Sequence, residues 1–141
     1  MNTLVVDASI ALKWVLNERD SAAAEAVLAG HRLAAPDLLV VECANALWAR
    51  IRRRALSPAE ARAAFSDLIA VDIDYEADHG LTAAALSLAA DLDHPVYDCT
   101  YLALALERGC QVITADRRFA AAVNAHPFHA GRVRLPADLA P

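Results

Sequence analysis

Two carboxylates stand where a folded protein seldom places charge. Glu42 is the sole acid between Asp37 and Glu60, within Leu38-Leu39-Val40-Val41-Glu42-Cys43-Ala44, and Asp98 is the sole acid between Asp93 and Glu107, within Val96-Tyr97-Asp98-Cys99-Thr100-Tyr101. Both segments are apolar nearly all round, so neither acid has a solvated face to occupy, and both are expected to be buried or half-buried. An ionised carboxylate in such surroundings costs several kcal/mol unless it is paired or coordinates a cation. Lys13 is the only lysine, and the arginines lie away from these segment centres. A divalent cation is the simpler compensation, and Mg2+ or Mn2+ suits an oxygen-only donor set.

Two further acids follow apolar runs. Asp7 closes Thr3-Leu4-Val5-Val6, and Asp116 comes just after Gln111-Val112-Ile113-Thr114. Both runs read as strands, and in open parallel sheets functional groups gather beyond the carboxyl ends of the strands. Close carboxylates would repel one another and raise each other's pKa, which a bound cation would reverse. A hard cation so held can activate water and steady the leaving oxygen of a phosphodiester.

Each of these residues also has a plainer structural role open to it. Asp7 could cap the following helix, although Ser9 is better placed for that before Ile10, and Ser9 could serve either as cap or as site residue. Glu42 could make a structural hydrogen bond, and Asp98, in the first turn of its helix, could answer the helix dipole. Thr114 and Asp116 precede a helix in an ordinary capping context. No one of these roles explains Glu42 and Asp98 together.

The elements that must position the acids alternate. Strand is expected at 3–6, helix from Ile10 to Leu16, helix from Ser21 to Leu28 ended by Gly30, strand at 32–35, and a long helix from Leu38 to about Arg54. Ser57-Pro58-Ala59-Glu60 is a capping-box start with proline at the first helical position. A strand at Val71-Asp72-Ile73, helices from Leu81 to Leu92 and Val96 to Arg108, and strand at 111–114 follow. A helix from Asp116 to Asn124 and an edge strand at 132–135 complete the order. This alternation favours a parallel sheet covered by helices, and no repeat or linker divides residues 1–141, so one domain is expected.

Composition narrows the function classes. The 141 residues are 57% hydrophobic and 22% charged with four glycines, which excludes a low-complexity chain. No apolar run approaches the roughly 20 residues of a membrane span, and the opening Met1-Asn2-Thr3-Leu4-Val5-Val6-Asp7 is unlike a secretory leader, so a cytoplasmic protein is expected. Cys43, Cys99 and Cys110 form no C-x-x-C pair and read as reduced thiols without a histidine base beside them. His31, His79, His94, His126 and His129 are scattered, with no zinc-ligand spacing. The net charge of −5 argues against a general polyanion surface and leaves only local clusters, Arg50 with Arg52 to Arg54, Arg117 with Arg118, and Arg132 with Arg134. The first cluster also suits a helix C-terminus.

Taken in order, Val5-Val6-Asp7-Ala8-Ser9, Glu42 with Asn45-Ala46-Leu47, Tyr97-Asp98 with Tyr101-Leu102-Ala103-Leu104-Ala105, and Val112-Ile113-Thr114-Ala115-Asp116 with Phe119 resemble the PIN-domain nucleases, and within them the VapC-type toxins of bacterial toxin-antitoxin pairs. The resemblance runs over nearly the whole chain. It implies a three-layer α/β/α sandwich with a short central parallel sheet and a Mg2+- or Mn2+-dependent endoribonuclease. It further implies a homodimer silenced by a small antitoxin of VapB type. Asp7, Glu42, Asp98 and Asp116 match the acidic quartet and Ser9 and Thr114 its accessory polar positions. The same resemblance suggests Asp7 and Asp98 as direct metal ligands, with Glu42 and Asp116 serving a second ion or its water.

Two other chemistries place acids at strand ends. In an aspartate-based phosphatase Asp7 would accept a phosphoryl group, but Ser9 occupies the position of the usual D-x-D partner. A receiver-like binding module would need a lysine near the site, and Lys13 sits in the first helix instead.

Overall fold

The computed structural model describes residues 1–139. Five strands, β1 (Thr3–Val6), β2 (Arg32–Pro36), β3 (Asp74–Glu76), β4 (Gln111–Ile113) and β5 (Val133–Arg134), form one parallel sheet in the order β3-β2-β1-β4-β5. Seven α-helices flank it: α1 (Ala8–Val15), α2 (Ser21–Gly30), α3 (Leu38–Arg52), α4 (Pro58–Ile69), α5 (Thr82–Leu92), α6 (Val96–Arg108) and α7 (Arg117–Asn124). The expected α/β sandwich with a short parallel sheet is what the chain adopts.

The β-branched run of β1 takes the centre of the sheet, where both faces are covered and Leu4, Val5 and Val6 are buried. Helix α6 lies against β1, β2 and β4 and pairs with α5, while α1, α2, α3 and α4 pack among themselves. From β1 the chain builds outward through β2 and β3, then returns to the other side of β1 with β4 and β5. The strand order therefore reverses between β1 and β4. A crevice forms at such a switch point beyond the carboxyl ends of the strands, and Asp7 and Thr114 are the residues that follow those two ends.

Local signals hold in several places. Ser57 and Glu60 form the expected capping box, with Glu60 N–H donating to Ser57 Oγ at 3.1 Å and Ser57 N–H to Glu60 Oε1 at 3.0 Å. Gly109 ends α6 in the left-handed region at φ +64°, where glycine carries no Cβ penalty. Cys43 and Cys99 are buried free thiols, and Cys110 is half-buried.

Besides end shifts of one or two residues elsewhere, such as α3 ending at Arg52 and α7 beginning at Arg117, two departures from the sequence reading have causes outside their own segments. The third strand lies at Asp74–Glu76 rather than at 71–73, because register with β2 decides its place: Ala34 faces Asp74 and Pro36 faces Glu76. Arg108 holds this charged edge, at 2.6 Å from Asp74. Charge on an edge strand discourages further pairing, and local β propensity does not flag it. Helix α1 begins at Ala8, two residues before the expected start, and its N-cap is Asp7 rather than Ser9. No helix among the described residues is long and apolar enough to cross a membrane.

Candidate active site

Asp7 leaves β1 with extended backbone and turns directly into α1, so its side chain stays at the sheet end. Its Oδ1 accepts from the Ile10 N–H at 3.2 Å and from Ser9 Oγ at 2.5 Å, and its Oδ2 accepts from Thr114 Oγ1. Ser9 Oγ in turn accepts from the Ala115 N–H at 2.9 Å, and Thr114 Oγ1 from the Asp116 N–H at 3.0 Å. The two hydroxyls thus tie the end of β1 to the end of β4. Asp7 is 6% exposed and Thr114 is fully buried.

This burial decides the electrostatics. Desolvation pushes the Asp7 carboxyl up to about 6, against the opposing pull of its hydrogen bonds to Ser9, Thr114 and Ile10, and the nearby Asp98 adds repulsion. Glu42, in the second turn of α3, is likewise raised, chiefly by burial and further by Asp98 and Asp78. The Asp98 charge thus raises both Asp7 and Glu42.

The sequence reading expected Glu42 and Asp98 to be buried or half-buried, and both are half-buried; the deeply buried acid is Asp7. It also missed two donors. Tyr101 on α6, fully buried, donates its hydroxyl to Glu42 Oε1 at 2.5 Å, and His94 Nε2 lies 2.7 Å from Asp98 Oδ2. The signal for Tyr101 was weak, since 59 residues separate it from its partner. His94 sits four residues before Asp98, a spacing that places it near the start of the same helix.

Asp116 joins the group at its periphery. Its carboxylate caps α7, with Oδ1 accepting from Arg118 N–H at 2.9 Å and Phe119 N–H at 3.2 Å, and it reaches Asp7 only through the backbone contact with Thr114. Of the two roles open to it in the sequence, the cap is the one its carboxylate performs here. The thiols take no part: burial pushes Cys43 up to about 12 and Cys99 up to about 11, so both stay protonated.

Among the described residues no lysine or arginine pairs with Asp7, Glu42, Asp98 or Asp116. Arg50 is engaged by Glu18 at 2.6 Å. Nor do three or more His, Cys, Asp or Glu side chains close around a point as a cage would, among the described residues. His126 and His129 stack at 4.8 Å without a third ligand. The candidate donors are carboxylate oxygens, and Glu42 Oε2, Asp98 Oδ1 and Asp116 Oδ2 accept no hydrogen bond among the described residues. Such an open oxygen set fits Mg2+ or Mn2+, which keep several waters and need only one or two carboxylates, and it does not fit a closed zinc site. Beside Ser9 and Glu42 opens a groove of about 700 Å³, lined also by Leu12, Asn45, Arg50 and the exposed Tyr97.

A profile of the PIN domain matches residues 4–124, a span that contains all four acids. The chain belongs to the PIN-domain family. This PIN domain is 38% identical over 122 residues to Ribonuclease VapC3 of Pyrobaculum aerophilum, covering 83% of this chain and 92% of that protein. A Mycobacterium tuberculosis protein, VapC20, described as a sarcin-ricin loop cleaving toxin, has a TM-score of 0.67 and 19% identity, over 84% of this chain and 94% of that one. A toxin-antitoxin complex from Klebsiella pneumoniae has a TM-score of 0.62 and 16% identity, over 94% of this chain and 97% of that one. At these identities the two solved structures speak for the fold.

Proposed function

We propose that this PIN domain is a metal-dependent endoribonuclease, the toxin of a toxin-antitoxin pair, acting in the cytoplasm with residues 1–141 as one nuclease domain. The observation that carries the reading is the buried acid Asp7, coupled to Asp98 beside Glu42 at the switch point of a parallel sheet and lacking any lysine or arginine partner among the described residues. Relatedness to a ribonuclease at 38% identity supports RNA as the substrate class. The toxin-antitoxin complex of like fold supports a small antitoxin as partner. A homodimer belongs to the same proposal.

Asp7 and Asp98 would hold Mg2+ or Mn2+ directly, with Glu42 and Asp116 serving a second ion or its water. Bound there, the metal supplies a nucleophilic water and neutralises charge on the leaving oxygen. The protein's own part is placement. Ser9, Thr114 and the Ile10 N–H fix the Asp7 carboxylate with one hydrogen bond each, and Tyr101 fixes Glu42. The groove beside Glu42 gives an RNA strand room to lie, with the exposed Tyr97 ring available for base stacking.

Cleavage of total RNA in Mg2+ or Mn2+, wild type against Asp98→Asn, tests the reading. The variant is expected to lose more than the roughly 10–100-fold typical of losing an outer-sphere partner of a metal. Cleavage that persists in excess chelator, or undiminished in the variant, sinks it.

A further inference from the structure

His94 lies beside Asp98. Its Nε2 is 2.7 Å from Asp98 Oδ2, and because an ionised carboxylate can only accept, that nitrogen carries the proton. The imidazole is 13% exposed and stacks on Phe119, with ring centroids 5.2 Å apart and planes at 23°. Phe119 is fully buried, and its own N–H donates to Asp116 Oδ1. The ring therefore touches Asp98 through its edge and, through Phe119, the helix whose cap is Asp116.

The backbone leaves this ring little freedom. Asp93 before it is left-handed at φ +50°, and Pro95 after it restricts the pre-proline backbone to extended conformations. The His94 N–H donates to Ala89 O at 3.2 Å, and the His94 carbonyl accepts from Cys99 Sγ at 3.8 Å.

We infer that His94 is a positioning residue for the metal site: it holds Asp98 Oδ2 and so presents Oδ1, which accepts no hydrogen bond among the described residues, to the cation. The inference rests on the reading of Asp98 as a metal ligand. Hydrogen bonds to ligating carboxylates orient them, and losing such a partner typically lowers metal affinity roughly 10–100-fold.

The full-length protein is titrated with Mn2+ at fixed pH, free ion being followed by electron paramagnetic resonance, and melted in chelator. His94→Phe keeps the stack on Phe119 and removes the donor, so Mn2+ affinity should fall roughly 10–100-fold while the melting temperature in chelator stays near that of wild type. His94→Gln places an amide N–H where Nε2 was and should recover most of the affinity. In RNA cleavage at limiting Mn2+, His94→Phe should lower kcat with little change in KM. Wild-type affinity in His94→Phe overturns the assignment, as do equal losses in both variants that track a fall in melting temperature. Asp98→Asn separates the two readings: if wild type binds Mn2+, Asp98→Asn does not and His94→Phe does, the His94 assignment alone fails. If wild type itself does not bind, the metal site falls and His94 with it.

Discussion

Removing the charge of Asp7 should make the metal-free protein more stable at neutral pH, although it removes a proposed metal ligand. Burial lifts the folded-state pKa from 3.8 to about 6. At about 1.36 kcal/mol per unit, ionising this carboxyl inside the fold costs about 3 kcal/mol. The folded chain keeps the proton where the unfolded chain has lost it, between about pH 4 and 6, so stability falls as pH rises through that window. Asn at position 7 cannot ionise and escapes the cost. Against this gain stands one hydrogen bond. Ser9 and Thr114 donate to opposite oxygens of Asp7, while each hydroxyl already accepts from a backbone N–H, so an amide nitrogen at one oxygen position loses about 1 kcal/mol. The net is a gain of about 2 kcal/mol at pH 7.5, or roughly 6 °C in melting temperature for a chain of this size, and a loss of about 1 kcal/mol near pH 4. Urea unfolding in chelator at both pH values, Asp7→Asn against wild type, measures the crossing. Carboxylates away from Asp7 titrate in both proteins and cancel in the difference, whereas the repulsion from Asp98 is lost with the Asp7 charge and is part of the effect measured. A difference that does not change with pH, or a variant less stable than wild type at pH 7.5, refutes the reasoning.

Tyr101→Phe removes the hydroxyl that Glu42 accepts from while leaving the buried ring in place, and should cost about 1 kcal/mol in urea unfolding, since half-exposed Glu42 regains water. RNA cleavage should fall with it, and adding Tyr101→Phe to Glu42→Gln should lower the rate no further, as expected if the hydroxyl acts through that acid. Ser57→Ala breaks the capping box of α4 far from the sheet end; stability should drop by about 1 kcal/mol, with cleavage per folded molecule unchanged.

The fold was legible wherever one segment carried its own reason for its shape. The uninterrupted apolar β1 could only be a strand covered on both faces, and Ser57-Pro58-Ala59-Glu60 specified the start of α4 without help from the rest of the chain. Where partners decided, the sequence misled. Val71 and Ile73 look more strand-like than Asp74 and Glu76, yet β2 pairs with the charged triplet and Arg108 reaches across to hold it. The start of α1 was misplaced for a similar reason. Ser9 has the side chain of a cap, but its hydroxyl is engaged with Asp7 and the Ala115 N–H, residues at two strand ends that only the sheet brings together.

The acids could be found in the sequence because charge in an apolar run is an anomaly that needs a cause. Their partners could not, because tyrosine and histidine are residues that a core readily admits when their polar atoms find a mate. Tyr101 within a run of seven buried residues reads as packing until its hydroxyl is seen on Glu42. Asp7 shows the converse: the sequence favoured Ser9 as the cap, yet an acid after a strand and before a helix has that ordinary use, and Asp7 does cap α1. What distinguishes it is three-dimensional, the burial that raises its pKa and the Asp98 charge that raises it further. A cap can stand at the surface beside water. Placing one under cover, next to a second carboxylate and with no lysine or arginine partner among the described residues, costs stability that only a ligand of opposite charge would return.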